Sequence, residues 1–256
     1  MTQSQATFRF YAELNDFLPE VRRKQNLVFA FHVAPTVKDA IESFGIPHVE
    51  VDVILVNGVS VDFAHRLTPG DRVAVYPVFE SLDVTRLVRL SSRPLRHTAF
   101  IADVHLRRLA RMLRLLGFDV GYLEDADDET LIEISLRERR ILLTRDRALL
   151  RHGRLTHGAW IRSVHPIDQA IEVVRRFDLA EQARPFSRCT ACNGHLHPVD
   201  RDSVLDRIPP KTAAWLDKYD ACDTCGKLYW QGTHHGRLSS IVERILRGAG
   251  RAIDQA

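Results

Sequence analysis

Hydrophobic positions along the chain change their period near residue 98, and that change divides it in two. Early on, "TFRFYAEL" alternates apolar and polar positions and "LVFAFHV" is a continuous apolar run, so each predicts a strand. "TVKDAIESFG" sets Val37, Ala40, Ile41 and Phe44 at helical spacing, with Thr36 as the N-cap and Gly45 as the stop. "VDVILVNG" and "DRVAVYPV" predict two more strands, with the turn signal "TPGD" between them. The order strand, strand, helix, strand, strand describes a small α+β domain over residues 1–82.

A polar, arginine-rich connection over 83–97 marks the boundary. Beyond it strands and helices alternate. "TAFIAD" predicts a strand, "VHLRRLARMLRLLG" a helix ended by Gly117, and "FDVGYL" a strand. "DDETLIEISLRERR" predicts a helix, "ILLTRD" and "GAWIRSV" strands, and "PIDQAIEVVRRF" a helix with Pro166 in its first turn. Such alternation over 98–185 predicts a parallel α/β sheet with right-handed crossovers. Residues 186–256 hold a cysteine-bearing segment, and "RLSSIVERILRG" closes the chain as a helix.

Composition adds limits. With 256 residues, 45% of them hydrophobic and 27% charged, the chain reads as soluble and globular, with room for two cores. Its longest apolar runs are too short to span a bilayer, so no membrane partner is expected. The start, "MTQSQATFRF", lacks the cationic-then-apolar pattern of a secretory signal, and a cytoplasmic location is the expectation. Net charge is only +3, but eight arginines (86, 89, 93, 96, 107, 108, 111 and 114) share one window with a single acid, Asp103. That local field suits a polyanion such as nucleic acid, although solvated arginines give the same pattern.

In "RILLTRDRAL" an apolar run stops at Asp146, set between Arg145 and Arg147. Asp103 ends the first strand of the alternating region, Asp146 ends the third, and Asp127 and Asp128 open the helix after the second. In a parallel sheet the carboxyl ends of the strands share one edge, where ligands bind. Carboxylates gathered there repel one another unless a cation neutralises them, and hard oxygen donors suit Mg²⁺ or Mn²⁺. Each acid also has a plain structural reading. Asp103, Asp127, Asp128 and Glu129 can cap helices, Asp146 can close a turn, and Asp168 sits in a helix's first turn. Arg107, Arg108, Arg111 and Arg114 lie largely opposite an apolar face of Leu106, Leu109, Ala110, Leu113 and Leu116. With Arg147, that polar face offers contacts for a phosphate backbone.

The four cysteines form "CTAC" (Cys189, Cys192) and "CDTC" (Cys222, Cys225). Two Cys-x-x-Cys knuckles predict a structural zinc site of four thiolates, with Gly194 and Gly226 permitting the tight turns. His195 and His197 are the competing donors nearby. In "LYWQGTHH", Trp230 and Tyr229 suit either core packing or base stacking, and His234 a phosphate contact.

The stretch from "FIADVHLRRLARMLRLLGFDVGYLEDADDETLIEISLRERRILLTRDRAL" through "SRCTACNGHL" to "CDTCGKLYWQGTHHGRL" resembles the Mut-seven C-terminal RNase domain family, PIN-like nucleases with a zinc ribbon. The resemblance implies that Asp103, Asp128 and Asp146 bind the catalytic metal, with Asp127 and Glu129 as substitutes. Asp168 is the candidate for the fourth acid common in PIN-type sites. The segment in front, with "VNGVSV" and "LTPGDRVAVYPV", resembles the ubiquitin-like β-grasp domains of sulfur carriers. Those work through a free terminal Gly-Gly, whereas here Pro77 runs on into "VFESLDV", which leaves an interaction role with a protein partner. The expectation is a metal-dependent ribonuclease hydrolysing RNA at a carboxylate-bound Mg²⁺ or Mn²⁺ site. The alternative is a noncatalytic RNA-binding or scaffold protein.

Overall fold

The computed structural model describes residues 3–77, 98–210, 214–232 and 235–250. The expected linker over 83–97, with four of the eight arginines, lies outside them. In chain order the strands and α-helices are β1 (Ser4–Phe10), β2 (Asn26–Phe31), α1 (Val37–Ser43), β3 (Val51–Val56), β4 (Val59–Val61) and β5 (Arg72–Pro77). Then come β6 (Ala99–Ala102), α2 (Arg107–Leu115), β7 (Asp119–Tyr122), α3 (Asp128–Glu138), β8 (Ile141–Thr144), β9 (Gly158–Trp160) and α4 (Pro166–Arg176). The last are β10 (Leu196–Val199), β11 (Tyr219–Cys222), β12 (Leu228–Trp230) and α5 (His235–Gly248). Contacts divide the chain into two compact units, Met1–Arg96 with Asp128–Trp160, and His97–Asp127 with Ile161–Ala256.

In the first unit a five-stranded sheet runs β2-β1-β5-β3-β4, with β1 and β5 parallel at its centre. Alternation in β1 turns Phe8 and Phe10 inward, where they meet Val37, Ala40 and Ile41 of α1. Thr36 caps α1 as expected. Its hydroxyl accepts the Asp39 amide (3.1 Å), and Asp39 in turn accepts the Thr36 amide, which satisfies two otherwise orphaned donors. The run "VNGVSV" is a hairpin rather than the end of one strand. Asn57 and Gly58 adopt φ of 51° and 84°, the left-handed pair that a tight hairpin turn needs, and β4 returns along β3.

The same unit contains α3 and the parallel pair β8 and β9. Trp160 of β9 packs against the core of the β-grasp domain, with its ring 4.9 Å from that of Phe17. Its amide donates to Glu50. His48 bridges Glu42 and the carbonyl of Leu155. "GAWIRSV" therefore pairs only over Gly158–Trp160, and the shortened strand is held by the β-grasp residues around it.

In the second unit β6 and β7 pair in parallel, and α2 is reached through a 3₁₀ turn over Val104–Leu106. The expected apolar stripe of α2 is buried. The helix packs on β7 and α4, and α4 packs on α5. Antiparallel β10-β11-β12 forms a separate small sheet, where Tyr219, Val204 and Ile208 make a core joined by Trp230. Packing, not an open stacking face, is thus the place of Trp230.

Candidate functional site

The cysteine segment closes as two knuckles. Cys189 and Cys192 lie ahead of β10, while Cys222 ends β11 and Cys225 follows it. The four sulfurs lie within 4.8 Å of one another, with Cys189 3.7 Å from Cys225 and Cys192 3.3 Å from Cys222. A disulfide would need about 2.05 Å. Sulfurs around a tetrahedral zinc, with Zn–S near 2.3 Å, stand about 3.8 Å apart. The spacing fits the second case. Burial pushes the Cys189 thiol up, but the Tyr229 hydroxyl and the amides of Cys192 and Ala191 outweigh it and bring it down to about 6. Burial, together with the thiols of Cys222, Cys225 and Cys189, pushes Cys192 up to about 12 against the pull of the Gly194 amide. Crowded sulfurs resist ionising together unless a cation neutralises them. The four cysteines can therefore hold a metal ion such as zinc, and among the described residues no histidine belongs to the group.

The knuckle turns differ in detail from expectation. Asn193, not Gly194, takes the left-handed conformation in the first (φ 77°), and Gly226 takes it in the second (φ 68°). Gly194 is required for space: a Cβ there would come within 2.5 Å of the Asp223 and Thr224 side chains. The Asn193 carboxamide accepts the Val120 amide (3.0 Å) and donates to Asp119 (2.7 Å), which fastens the knuckle to β7.

Arg114 corrects the reading of the basic helix. It is buried rather than on the polar face, donating to the carbonyls of Val120 (2.9 Å) and Ala191 (2.8 Å). Burial lowers its pKa, while Cys192, Cys189 and Asp119 pull the other way. Arg107 pairs with Glu124 at 2.6 Å on the surface, and Arg108 and Arg111 are exposed. Arg147 belongs to the other unit and is engaged there. Its guanidinium lies 4.9 Å from the Phe17 ring and 5.2 Å from that of Trp160, and it donates to the Phe17 carbonyl. The structure places Arg147 in packing contacts within that unit.

The acids occupy strand ends and helix starts. Asp103 follows β6 directly, is 5% exposed, and accepts the His105 amide at 3.3 Å as the cap of the 3₁₀ turn. Asp146 stands two residues past β8. Its amide donates to the Thr144 hydroxyl (2.9 Å) and its Oδ1 accepts the Ala148 amide (2.7 Å), an exposed Asx turn. Asp127 and Asp128 are exposed at the start of α3, where Glu129 forms an ion pair with Arg154 and lies 4.0 Å from His152. Asp168 lies in the first turn of α4. Asp103 and Asp127 fall in one compact unit, and Asp128 and Asp146 in the other.

Comparison with known families matches the Mut7-C RNAse domain over residues 98–242, more than half the chain. The chain belongs to the Mut7-C RNAse domain family. Ahead of that domain, residues 3–83 match the Mut7-C ubiquitin domain. No curated protein and no solved structure matches the chain. The Mut7-C match places the chain among nuclease domains and points to RNA as what it handles. No helix among the described residues is long and apolar enough to cross a membrane. Within the Mut7-C domain, the residues that spacing alone missed are Arg114, Asp119 and Asn193, which join the first knuckle to α2 and β7. "CNG" carried part of that signal, since asparagine, after glycine, is among the residues that take the left-handed turn. His235 opens α5 and stacks on Phe186 at 4.8 Å, while His234 lies outside the described residues.

Proposed function

We propose that the chain is a metal-dependent ribonuclease whose carboxylates Asp103, Asp128 and Asp146 hold Mg²⁺ or Mn²⁺. The observation that carries this reading is the placing of Asp103 and Asp146. Each stands just past the carboxyl end of a parallel strand, in a chain matched to an RNAse domain. The donors are hard oxygens, which fit these ions. Mg²⁺ or Mn²⁺ held by these carboxylates would supply charge neutralisation at a phosphodiester. Asp127 and Glu129 are substitute ligands, Glu129 being already paired with Arg154, and Asp168 is only a weak candidate for the fourth acid.

Arg108 and Arg111, exposed on α2, would receive the phosphate backbone. Arg107 joins them readily, because an exposed pair such as that with Glu124 is worth only about 0–1 kcal/mol. Zinc held by Cys189, Cys192, Cys222 and Cys225 would be structural, since four thiolates leave no open position. Zinc-bound thiols persist in a reducing compartment, which supports a cytoplasmic location.

In the second reading, a noncatalytic RNA-binding or scaffold protein, Asp103 and Asp146 serve as cap and turn residues alone. Incubation of the purified protein with labelled single-stranded RNA separates the two. Cleavage with Mn²⁺ or Mg²⁺, stopped by EDTA, is the expected result, while binding without cleavage in either metal would support the scaffold.

A further inference from the structure

One face of the β-grasp sheet is covered by α1, and the other carries a groove that no role above uses. Alternation along β1 and β5 turns Thr7, Arg9, Arg72 and Ala74 away from the core. The parallel register sets Thr7 beside Arg72 and Arg9 beside Ala74. Continued by two residues, it brings Tyr11 beside Tyr76, and their rings stack at 4.4 Å and 12°. Leu55 of β3 flanks Ala74 from the other side, and Asn26 of β2 faces Arg9. Ala74, with the smallest side chain of this set, therefore lies low between Arg9 and Leu55, and a groove of about 590 Å³ opens above it. That size falls in the range of about 300–1,000 Å³ typical of ligand sites.

The groove's chemistry selects its occupant. Arg9 and Arg72 line it, and none of the described residues lining it carries a carboxylate. Asp71, next in sequence, directs its oxygens to Thr68 and Asn57. The groove is capped at one end by Tyr11, 38% exposed and stacked on Tyr76. A protein partner would favour a broad apolar centre, whereas this centre is an alanine beside Arg9, with Arg72 two residues back on the same strand. Guanidinium groups beside an exposed aromatic stack on an open sheet face match a ligand of alternating phosphates and flat bases.

We propose that this groove binds single-stranded RNA, with backbone phosphates on Arg9 and Arg72 and a base on the exposed face of Tyr11. The β-grasp domain would then hold substrate as well as scaffold the chain. That the strand is RNA rests on the ribonuclease reading, but the binding itself needs no metal.

The test measures anisotropy of a fluorescein-labelled single-stranded RNA titrated with the full-length protein in EDTA, so that cleavage plays no part. Arg9→Glu with Arg72→Glu should weaken binding at least about tenfold, and Tyr11→Ala about five- to tenfold, as loss of one base stack implies. In the milder Arg9→Gln with Arg72→Gln protein, the salt dependence of log affinity should flatten by about 1.4, or about 0.7 per phosphate contact. Affinity and salt slope unchanged in variants that keep the wild-type circular dichroism would overturn the proposal and leave the face to a protein partner. Cleavage of RNA by wild type alongside such unchanged binding would sink this groove and spare the nuclease. Groove-dependent binding by a protein that never cleaves would do the reverse.

Discussion

A carboxyl oxygen of Glu50, on a residue with no exposed surface, accepts the backbone amide of Trp160 at 2.7 Å across 110 positions of sequence. This bond joins the β-grasp domain to β9 of the nuclease domain, and Trp160 completes the β-grasp core beside Phe17. The two matched domains thus share packing in the unit that carries Asp146. Glu50→Leu removes the acceptor and should cost about 1–3 kcal/mol, while Glu50→Gln keeps an acceptor and should cost less. Urea unfolding midpoints give the order, and a leucine variant as stable as wild type would contradict the role assigned to this bond.

Arg147 sits next to Asp146, and its guanidinium lies over the adjoining rings of Phe17 and Trp160. A lysine keeps the charge but loses the planar stack, so Arg147→Lys should lower stability by about 1–2 kcal/mol. Because its guanidinium is held over these rings, Arg147→Gln, which removes the charge, should leave the salt dependence of RNA binding as in wild type. A slope flattened by one phosphate's worth would return Arg147 to the substrate.

Asp71 offers a pH signature. Burial raises its pKa, but the Thr68 amide and hydroxyl and the Asn57 carboxamide outweigh burial and leave it below the ordinary 3.8. A proton therefore binds the folded state less tightly than the unfolded state. The resulting stability is fully present above 3.8 and is lost as pH falls through the lower folded value. Asp71→Asn should cost about 1–3 kcal/mol at neutral pH. Thermal melts of both proteins should converge as the solution is acidified below 3.8, and a gap that holds constant there would refute the assignment.

Asn193 combines a left-handed backbone with two side-chain bonds to β7. Asn193→Gly restores only the backbone freedom and Asn193→Ala neither, which at about 1–2 kcal/mol for a left-handed alanine sets the order wild type, glycine, alanine. Melting temperatures of the zinc-loaded proteins test it. An alanine variant that outlasts the glycine variant would show that the conformation at 193 is not limiting.

What was legible in the chain was local. The Thr36 N-cap, the Pro166 helix start and the Cys-x-x-Cys pairs each lie within a few residues, so spacing alone predicts their geometry. The hairpin at Asn57-Gly58 carried its own signal, but the flanking apolar run obscured it. Partners far along the chain were not legible. Arg114 looks like one more surface arginine until the Ala191 carbonyl, 77 positions away, is brought to it, and Arg147 likewise until Phe17 arrives from 130 positions away. The acids show a different limit. A cap or turn engages one carboxyl oxygen, so a local role and a metal-binding role use the same residue, and geometry within one turn does not separate them.

The central claim is best tested at Asp146. Wild type, Asp146→Asn and Asp168→Asn are incubated with labelled single-stranded RNA in Mn²⁺, Mg²⁺ or EDTA, with RNA affinity measured in parallel. The account predicts metal-dependent cleavage by wild type, a loss of at least about a hundredfold in Asp146→Asn with RNA binding retained, and a much smaller effect in Asp168→Asn. Equal RNA binding by wild type and Asp146→Asn, with cleavage by neither, would contradict it and leave Asp146 the turn residue that its hydrogen bonds already describe.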